Sequence, residues 1–248
     1  MNTKSNLKLS KKLAQIANFF AKIPGLKKAL EIFYRPIQHR LSKKRSESFL
    51  QNGLELLTRF HQCCEVNDIK YTLAFGSLLG AVREKGFIKH DLDIDVWIWK
   101  EDRPDDIETI LLQYGFVLDH SFTVDDGELA QEETYIYKDV TIDLFYIYPA
   151  VDKLPYCCFF VPEGDAVTCQ QSMKRYGYVA PRRIELPFDH DRILVKFYTS
   201  NLYIPSNYEE LLVRRYGENY MTPDPHWTNK NKPSIVEWTE KKAIYKNY

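Results

Sequence analysis

Cysteine is scarce and poorly placed for structural chemistry. The five residues Cys63, Cys64, Cys157, Cys158 and Cys169 are odd in number, include two adjacent pairs and nowhere show Cys-x-x-Cys spacing. This argues against a zinc site or a disulfide framework and suits buried thiols in a reducing, cytoplasmic setting. A bilayer-spanning apolar run is also missing. The best stretch, Leu13 to Ala21, is short and carries Gln15 and Asn18, and no small-residue cleavage site follows it, so neither a span nor a removed leader is expected. There is no internal repeat and no low-complexity tract.

Net charge is absent as well, but the zero hides an asymmetry. Residues 1–50 hold 12 Lys/Arg against 2 Asp/Glu, a balance of +10, so the remainder stands at −10. A largely acidic body disfavours a wide nucleic-acid footprint, and no nucleic-acid partner is expected. The basic end reads as a separate module over residues 1–45. Leu13, Ile16, Phe20 and Ile23 recur at helical spacing, Pro24-Gly25 interrupts, and Leu26, Leu30, Phe33 and Ile37 resume with lysines between them. Two short amphipathic helices are predicted there. They would either pack on the rest of the chain or lie on an anionic membrane face.

What is present in quantity is apolar and aromatic surface. The 248 residues are 44% hydrophobic, with 17 tyrosines and 14 phenylalanines, enough for a substantial core in one or two domains. A helix is expected over Ser46–Cys64, with Phe49, Leu50, Leu54, Leu57 and Phe60 on one side, and another over Asp105–Tyr114. A short strand is expected over Lys70–Phe75, another begins at Phe116–Leu118, and Val124–Glu133 reads as an acidic loop. Tyr135–Tyr137 and Val140–Tyr148 suggest a hairpin about Lys138-Asp139. Cys157–Val161 and Ile193–Phe197 are further strand candidates, Arg182 and Arg183 are possible phosphate or acceptor contacts, and Asn207–Tyr216 is helical and stops at Gly217. A tail follows from residue 226.

Three acidic positions concentrate the chemistry. Asp93 and Asp95, in Asp-Leu-Asp-Ile-Asp at 91–95, run into the strand-like Val96, Trp97, Ile98 and Trp99, where side chains two apart share a face. Asp143 lies between Ile142 and Leu144 in a second strand-like run. If the strands pair, carboxylates about 4 Å apart repel by roughly 4 kcal/mol at an effective dielectric near 20. Such a cluster calls for divalent cations or shared protons, and all-oxygen ligands point to Mg²⁺ or Mn²⁺. Upstream, a strand runs through Gly76-Ser77 into the helix-compatible Leu78 to Arg83. A helix N-terminus after small residues offers N–H groups to a phosphate, with the Ser77 hydroxyl as a further donor.

An apolar residue before Gly-Ser, a helix, a strand with Asp-x-Asp and a later strand with a lone Asp is the arrangement of the nucleotidyltransferase (polymerase-β-like) superfamily. Asn67 to Tyr71, Phe75 to Arg83, Gly86-Phe87-Ile88, Asp91 to Val96, and Pro205 to Gly217 followed by Met221-Thr222-Pro223 resemble the LicD/fukutin-related phosphotransferase family over about Ser46 to Pro225. The resemblance is patchy from Gly115 to Tyr203. It implies an α+β fold, a mixed sheet flanked by helices, over residues 46–225, with the basic extension before it.

It also implies transfer of a phospho-alcohol such as phosphocholine, ribitol phosphate or glycerol phosphate from a CDP-activated donor to a sugar hydroxyl, with CMP leaving. The acceptor glycan could be lipid-linked, which would place the protein in the cytoplasm at the inner membrane face. Two Mg²⁺ or Mn²⁺ ions would be held by Asp93 and Asp95, with Asp143 a third ligand or an orienter of the acceptor hydroxyl. Gly76, Ser77 and Arg83 would contact the donor phosphates. Lys89 and His90 stand where the family more often shows Pro-Trp and so bear on the transferred group, while Asp91 would support the ligands. Other classes are a nucleotidyltransferase releasing pyrophosphate, a Mn²⁺-dependent glycosyltransferase, and an inactive nucleotide- or glycan-binding scaffold.

Overall fold

A computed structural model describes residues 49–89, 91–151, 153–224, 226–228 and 234–248. The two basic helices expected within 1–45 and His90 lie outside the described residues. The chain divides into two units, residues 1–56 with 138–140 and residues 57–137 with 141–248. In the first, Asn52 Nδ2 donates to Asp139 Oδ1 at 2.6 Å and Lys138 pairs with Glu55.

The second unit carries the sheet. Helix α1, residues 49–66, runs into it, and Leu57, Phe60, Cys63 and Cys64 are buried at the three- and four-residue spacing of one helical face. The Phe60 ring meets Tyr71 edge-on at 5.1 Å and Phe116 at 6.1 Å. Then come β1 (Thr72–Leu73), α2 (Phe75–Arg83), β2 (Asp95–Trp99), α3 (Ile107–Gln113), β3 (Val117–Val124), β4 (Ala130–Tyr137), β5 (Val140–Ile147) and β6 (Tyr156–Val161). The chain continues through α4 (Cys169–Tyr176), β7 (Ala180–Glu185), β8 (Arg192–Phe197), β9 (Ser200–Pro205), α5 (Tyr208–Tyr216), β10 (Ile235–Glu237) and β11 (Ile244–Asn247).

Six strands form the main sheet in the order β1-β2-β5-β4-β3-β11. It is mixed: β2 and β5 run parallel, whereas β1 with β2, β3 with β4 and β11 with β3 are antiparallel. The result is an α+β architecture with a smaller β10-β7-β6 sheet and a β8-β9 hairpin. Alternation assigns the faces of the main sheet. Val96, Ile98, Leu144, Tyr146 and Tyr135 are buried in the interior, and the carboxylates Asp95 and Asp143 take the intervening positions.

Several elements depart from the sequence expectation. The first strand is only Thr72–Leu73, and α2 starts at Phe75, three residues before the expected Leu78. Strand β2 begins at Asp95, so Asp93 precedes it rather than sharing its pleat. The expected acidic loop 124–133 is a tight turn at Asp125–Gly127 followed by strand from Ala130. Glutamate disfavours strands, but Glu133 is held by four donors: Arg103 at 2.8 Å, Gln131 at 2.7 Å, Tyr135 at 3.1 Å and Tyr146 at 2.6 Å. A buried network satisfied in this way fixes the register of β4 against β5. Arg182 and Arg183, read as phosphate or acceptor contacts, lie inside β7 and are engaged. Arg182 faces Glu237 at 3.5 Å; Arg183 pairs with Glu185 at 2.7 Å and stacks 4.1 Å from the Tyr156 ring.

Candidate active site

The junction of β1, α2 and β2 is stitched by short-range bonds. Ala74 N donates to Asp95 O at 2.9 Å, and Asp95 N donates to Ser77 Oγ at 3.0 Å. The buried Ser77 hydroxyl therefore holds the start of β2. Phe75 takes a left-handed φ of 40°, a conformation costing a non-glycine residue about 1–3 kcal/mol. Its ring is wedged edge-on between Trp97 and Phe145, both at 5.0 Å. The first intrahelical bond, Leu78 N to Ala74 O at 2.9 Å, leaves the amides of Phe75, Gly76 and Ser77 outside the helical ladder, as at any helix start.

Gly76 has a specific reason to lack a side chain. A Cβ built on it would stand 1.8 Å from Asp91 Oδ2, so the Asp91 carboxylate occupies that space against the first turn of α2. The turn from Ile88 O to Asp91 N, 3.0 Å, delivers it there.

Parallel pairing of β2 and β5 puts Asp95 and Asp143 in direct register. In-register neighbours of a parallel pair point to the same face. Thr134, on the adjacent strand β4, donates to Asp143 Oδ1 at 2.7 Å. Behind Thr134 stand His120 Nε2 at 3.2 Å and, on the other ring nitrogen, Asp119 at 3.0 Å.

Electrostatics mark the cluster. Burial pushes Asp95 well above the usual carboxylate range, reinforced by Asp143, Asp91 and Asp93 and opposed by Arg215. Burial, with Asp93 beside it, also raises Asp91. Asp143 is pushed up to about 6 by burial, against the Thr134 hydrogen bond. Arg215, buried on α5 and 5.5 Å above the Phe75 ring, supplies positive charge to Asp95.

The expected site residues thus fall into two groups. Asp91, Asp93, Asp95 and Asp143 interact with one another, and Gly76 and Ser77 flank them through Asp91 and Asp95. Arg83 instead donates from Nε to Glu84 at 2.8 Å, with NH1 3.5 Å from the Tyr220 carbonyl. Lys89 is exposed in the turn before Asp91. Thr134, His120 and Glu132 went unnoticed because they lie where the resemblance is patchy, and Arg215, inside the motif-like Pro205 to Gly217, reads there only as part of a helix.

Among the described residues no three Asp, Glu, His or Cys side chains stand close enough to hold a metal ion as they are. The donor set nevertheless fits a hard divalent cation. It is entirely carboxylate and partly desolvated, the chemistry that a hard divalent ion neutralises.

A pH effect follows from Asp143. A carboxyl whose folded pKa lies above its unfolded one contributes stability that is full below about pH 4 and is lost as pH rises to about 6. Without divalent ions, Asp143→Asn is expected to gain on the wild type across that window, by roughly 2–3 kcal/mol at pH 7. Thermal melts of both proteins at pH 4 and pH 7 check it; an equal difference at the two values would refute the assignment.

Residues 68–190 match the family model described as LicD/FKTN/FKRP, nucleotidyltransferase domain. The chain belongs to this family. It is 24% identical over 208 residues to the ribitol-5-phosphate transferase FKTN of Mus musculus, covering 79% of this chain and 41% of that protein. It is 47% identical over 49 residues to the lipopolysaccharide cholinephosphotransferase LicD of Haemophilus influenzae, covering 20% of this chain and 18% of that protein. The aligned part therefore spans less than half of either relative. All of Gly76, Ser77, Asp91, Asp93, Asp95 and Asp143 fall within the matched domain.

Proposed function

We propose that this LicD-family chain is a metal-dependent phosphotransferase of nucleotidyltransferase fold. It would move a phospho-alcohol from a CDP-activated donor to a sugar hydroxyl of a glycan and release CMP. The observation that carries the reading is the in-register pair Asp95 and Asp143, beside Asp91 and Asp93, at the mouth of α2. The names of the relatives, a ribitol-5-phosphate transferase and a cholinephosphotransferase, support a phospho-alcohol as the transferred group.

On this proposal Asp93, Asp95 and Asp143 hold divalent cations, Mg²⁺ or Mn²⁺. Held there, such cations would neutralise charge on the transferring phosphoryl group. The chain's own residues supply position. The amides of Phe75, Gly76 and Ser77 face donor phosphate oxygens, and Asp91 keeps the first turn of α2 in place. Thr134 fixes the rotamer of Asp143, and Arg215 tempers the charge on Asp95. Phosphoryl transfer needs little beyond such positioning and charge neutralisation. Arg83 and Lys89 are assigned to the donor's outer parts. The catalytic domain starts at about residue 46 and, because β11 completes the main sheet, extends past 225 through the expected tail; residues 1–45 are proposed as a peripheral contact to the inner face of the cytoplasmic membrane. No helix among the described residues is long and apolar enough to cross a membrane.

Phosphorus NMR tests the proposal. Purified protein with Mg²⁺ or Mn²⁺ is given CDP-choline, CDP-ribitol, CDP-glycerol and nucleoside triphosphates in turn. Slow metal-dependent CMP release from one CDP-alcohol, with water replacing the acceptor, is the expected outcome and names the donor. Pyrophosphate from a triphosphate would instead establish nucleotidyl transfer.

A further inference from the structure

Strand β4 carries two adjacent glutamates with opposite surroundings. Glu133, on the interior face, accepts from Arg103, Gln131, Tyr135 and Tyr146. Glu132, on the other face, is 8% exposed, and its Oε2 is buried without any hydrogen-bond partner. Strand alternation puts Glu132 on the same side of β4 as Thr134, whose hydroxyl touches Asp143. Burial, and after it the charges of Asp143 and Asp95, disfavour its ionised form. The buried thiols of Cys157 and Cys158 also sense its charge and bring no positive charge of their own.

A depth order results. Asp93 is exposed, Asp95 and Asp143 are partly buried, and Glu132 closes the cluster from within. A buried carboxylate oxygen with no donor, on the strand face that Thr134 shares with Asp143, is costly as it stands. Among the described residues nothing pairs with Glu132 Oε2, whereas the glutamate one residue later is fully satisfied. A buried polar group left unpaired in an otherwise well-bonded strand calls for a missing partner, and the partner that suits all three carboxylates at once is a cation.

We propose that Glu132 is the inner carboxylate ligand of the cation site, completing from β4 the oxygen set that β2 and β5 present. The inference rests on the metal-dependent reading above and adds to it a residue outside the Asp-x-Asp and lone-Asp pattern. Its side chain would turn its free oxygen toward an ion shared with Asp95 and Asp143. The Thr134 bond, meanwhile, holds Asp143 from the same strand.

Mn²⁺ binding tests this without any substrate. Free Mn²⁺ is followed by electron paramagnetic resonance, and melting temperature is measured with and without the ion, for the wild type, Glu132→Gln and Glu132→Met. The glutamine keeps the shape and removes the charge. Its ion-free melting temperature should equal or exceed that of the wild type, its Mn²⁺ affinity should fall by about 10- to 100-fold, and its Mn²⁺-induced rise in melting temperature should shrink accordingly. The methionine variant should behave likewise, which guards against a packing artefact in either one. If the wild type binds Mn²⁺ and both variants bind it equally well, Glu132 is a protonated structural residue and the inference is overturned while the metal-dependent reading stands. If the wild type binds no Mn²⁺ at millimolar concentration, both fall together.

Discussion

Asp95→Asn is expected to lower metal-dependent CMP release by about 10³-fold or more, because on the proposed reading Asp95 would hold cations that supply several kcal/mol of barrier lowering. The same substitution should raise the melting temperature of the ion-free protein. Burial and three neighbouring carboxylates, Asp143, Asp91 and Asp93, all disfavour the charge at this position, and Arg215 offsets them only in part. An asparagine leaves the backbone bonds to Ala74 and Ser77 in place, so the β1–α2–β2 junction survives. Activity and stability should therefore move in opposite directions, the signature of a site whose charges are assembled for a ligand rather than for the fold. Turnover and thermal melts on one preparation decide it. A variant that is both active and less stable would place the chemistry elsewhere.

The second large effect is expected at Gly80. A Cβ there would stand 2.4 Å from the backbone oxygen of Gly86 and 3.3 Å from the Ile88 nitrogen. Neither atom can swing aside, so the end of α2 must separate from the 86–88 loop. Overpacking of this kind costs about 1–3 kcal/mol or more, against about 1 kcal/mol regained from alanine's better helix propensity. Gly80→Ala should lower the melting temperature by roughly 4–8 °C. Gly76→Ala makes the informative contrast, because the atom it meets is the end of the Asp91 side chain, 1.8 Å away, which can rotate. It should leave the melting temperature almost unchanged and reduce CMP release, since the displaced carboxylate leaves the first turn of α2. Calorimetry and phosphorus NMR on the two variants check the pair; equal melting losses would show that Asp91 is anchored as firmly as backbone.

The legibility of this chain in its sequence followed the range of the interactions involved. Apolar periodicity foretold Phe49, Leu57 and Phe60 on the buried face of α1, though Leu50, expected with them, is exposed and Leu56 is buried instead; it also foretold the strand character of β2, β5 and β6, the turn at Lys138-Asp139, and α5 closed by Gly217. Each depends on spacing within ten or so residues. Element starts were less legible. Helix α2 begins at Phe75 because Ala74 bonds to Asp95, 21 positions away, and no local propensity announces that. The first half of β4 reads as loop because Gln131, Glu132 and Glu133 look solvated in isolation, whereas its end at Tyr135–Tyr137 was legible as strand. Arg103 and Tyr146, which help satisfy Glu133, come from elsewhere in the chain.

The candidate site divides in the same way. By itself the sequence determined the chemical character: carboxylates at 91, 93, 95 and 143, small residues at 76 and 77, and an acidic body behind them. Those identities, with their order along the chain, are what led to the proposal of a hard cation and a phosphate. Only the tertiary structure decided which carboxylates share a face and what stands behind them. The parallel register of β2 and β5 set Asp95 against Asp143. The neighbouring strand β4 brought in Thr134 and the unpartnered Glu132, and α5 delivered Arg215 to Asp95. The physical reason is that residue types and short spacings are written along the chain, whereas register between strands dozens of residues apart is chosen by the sum of packing and hydrogen bonding over the whole sheet.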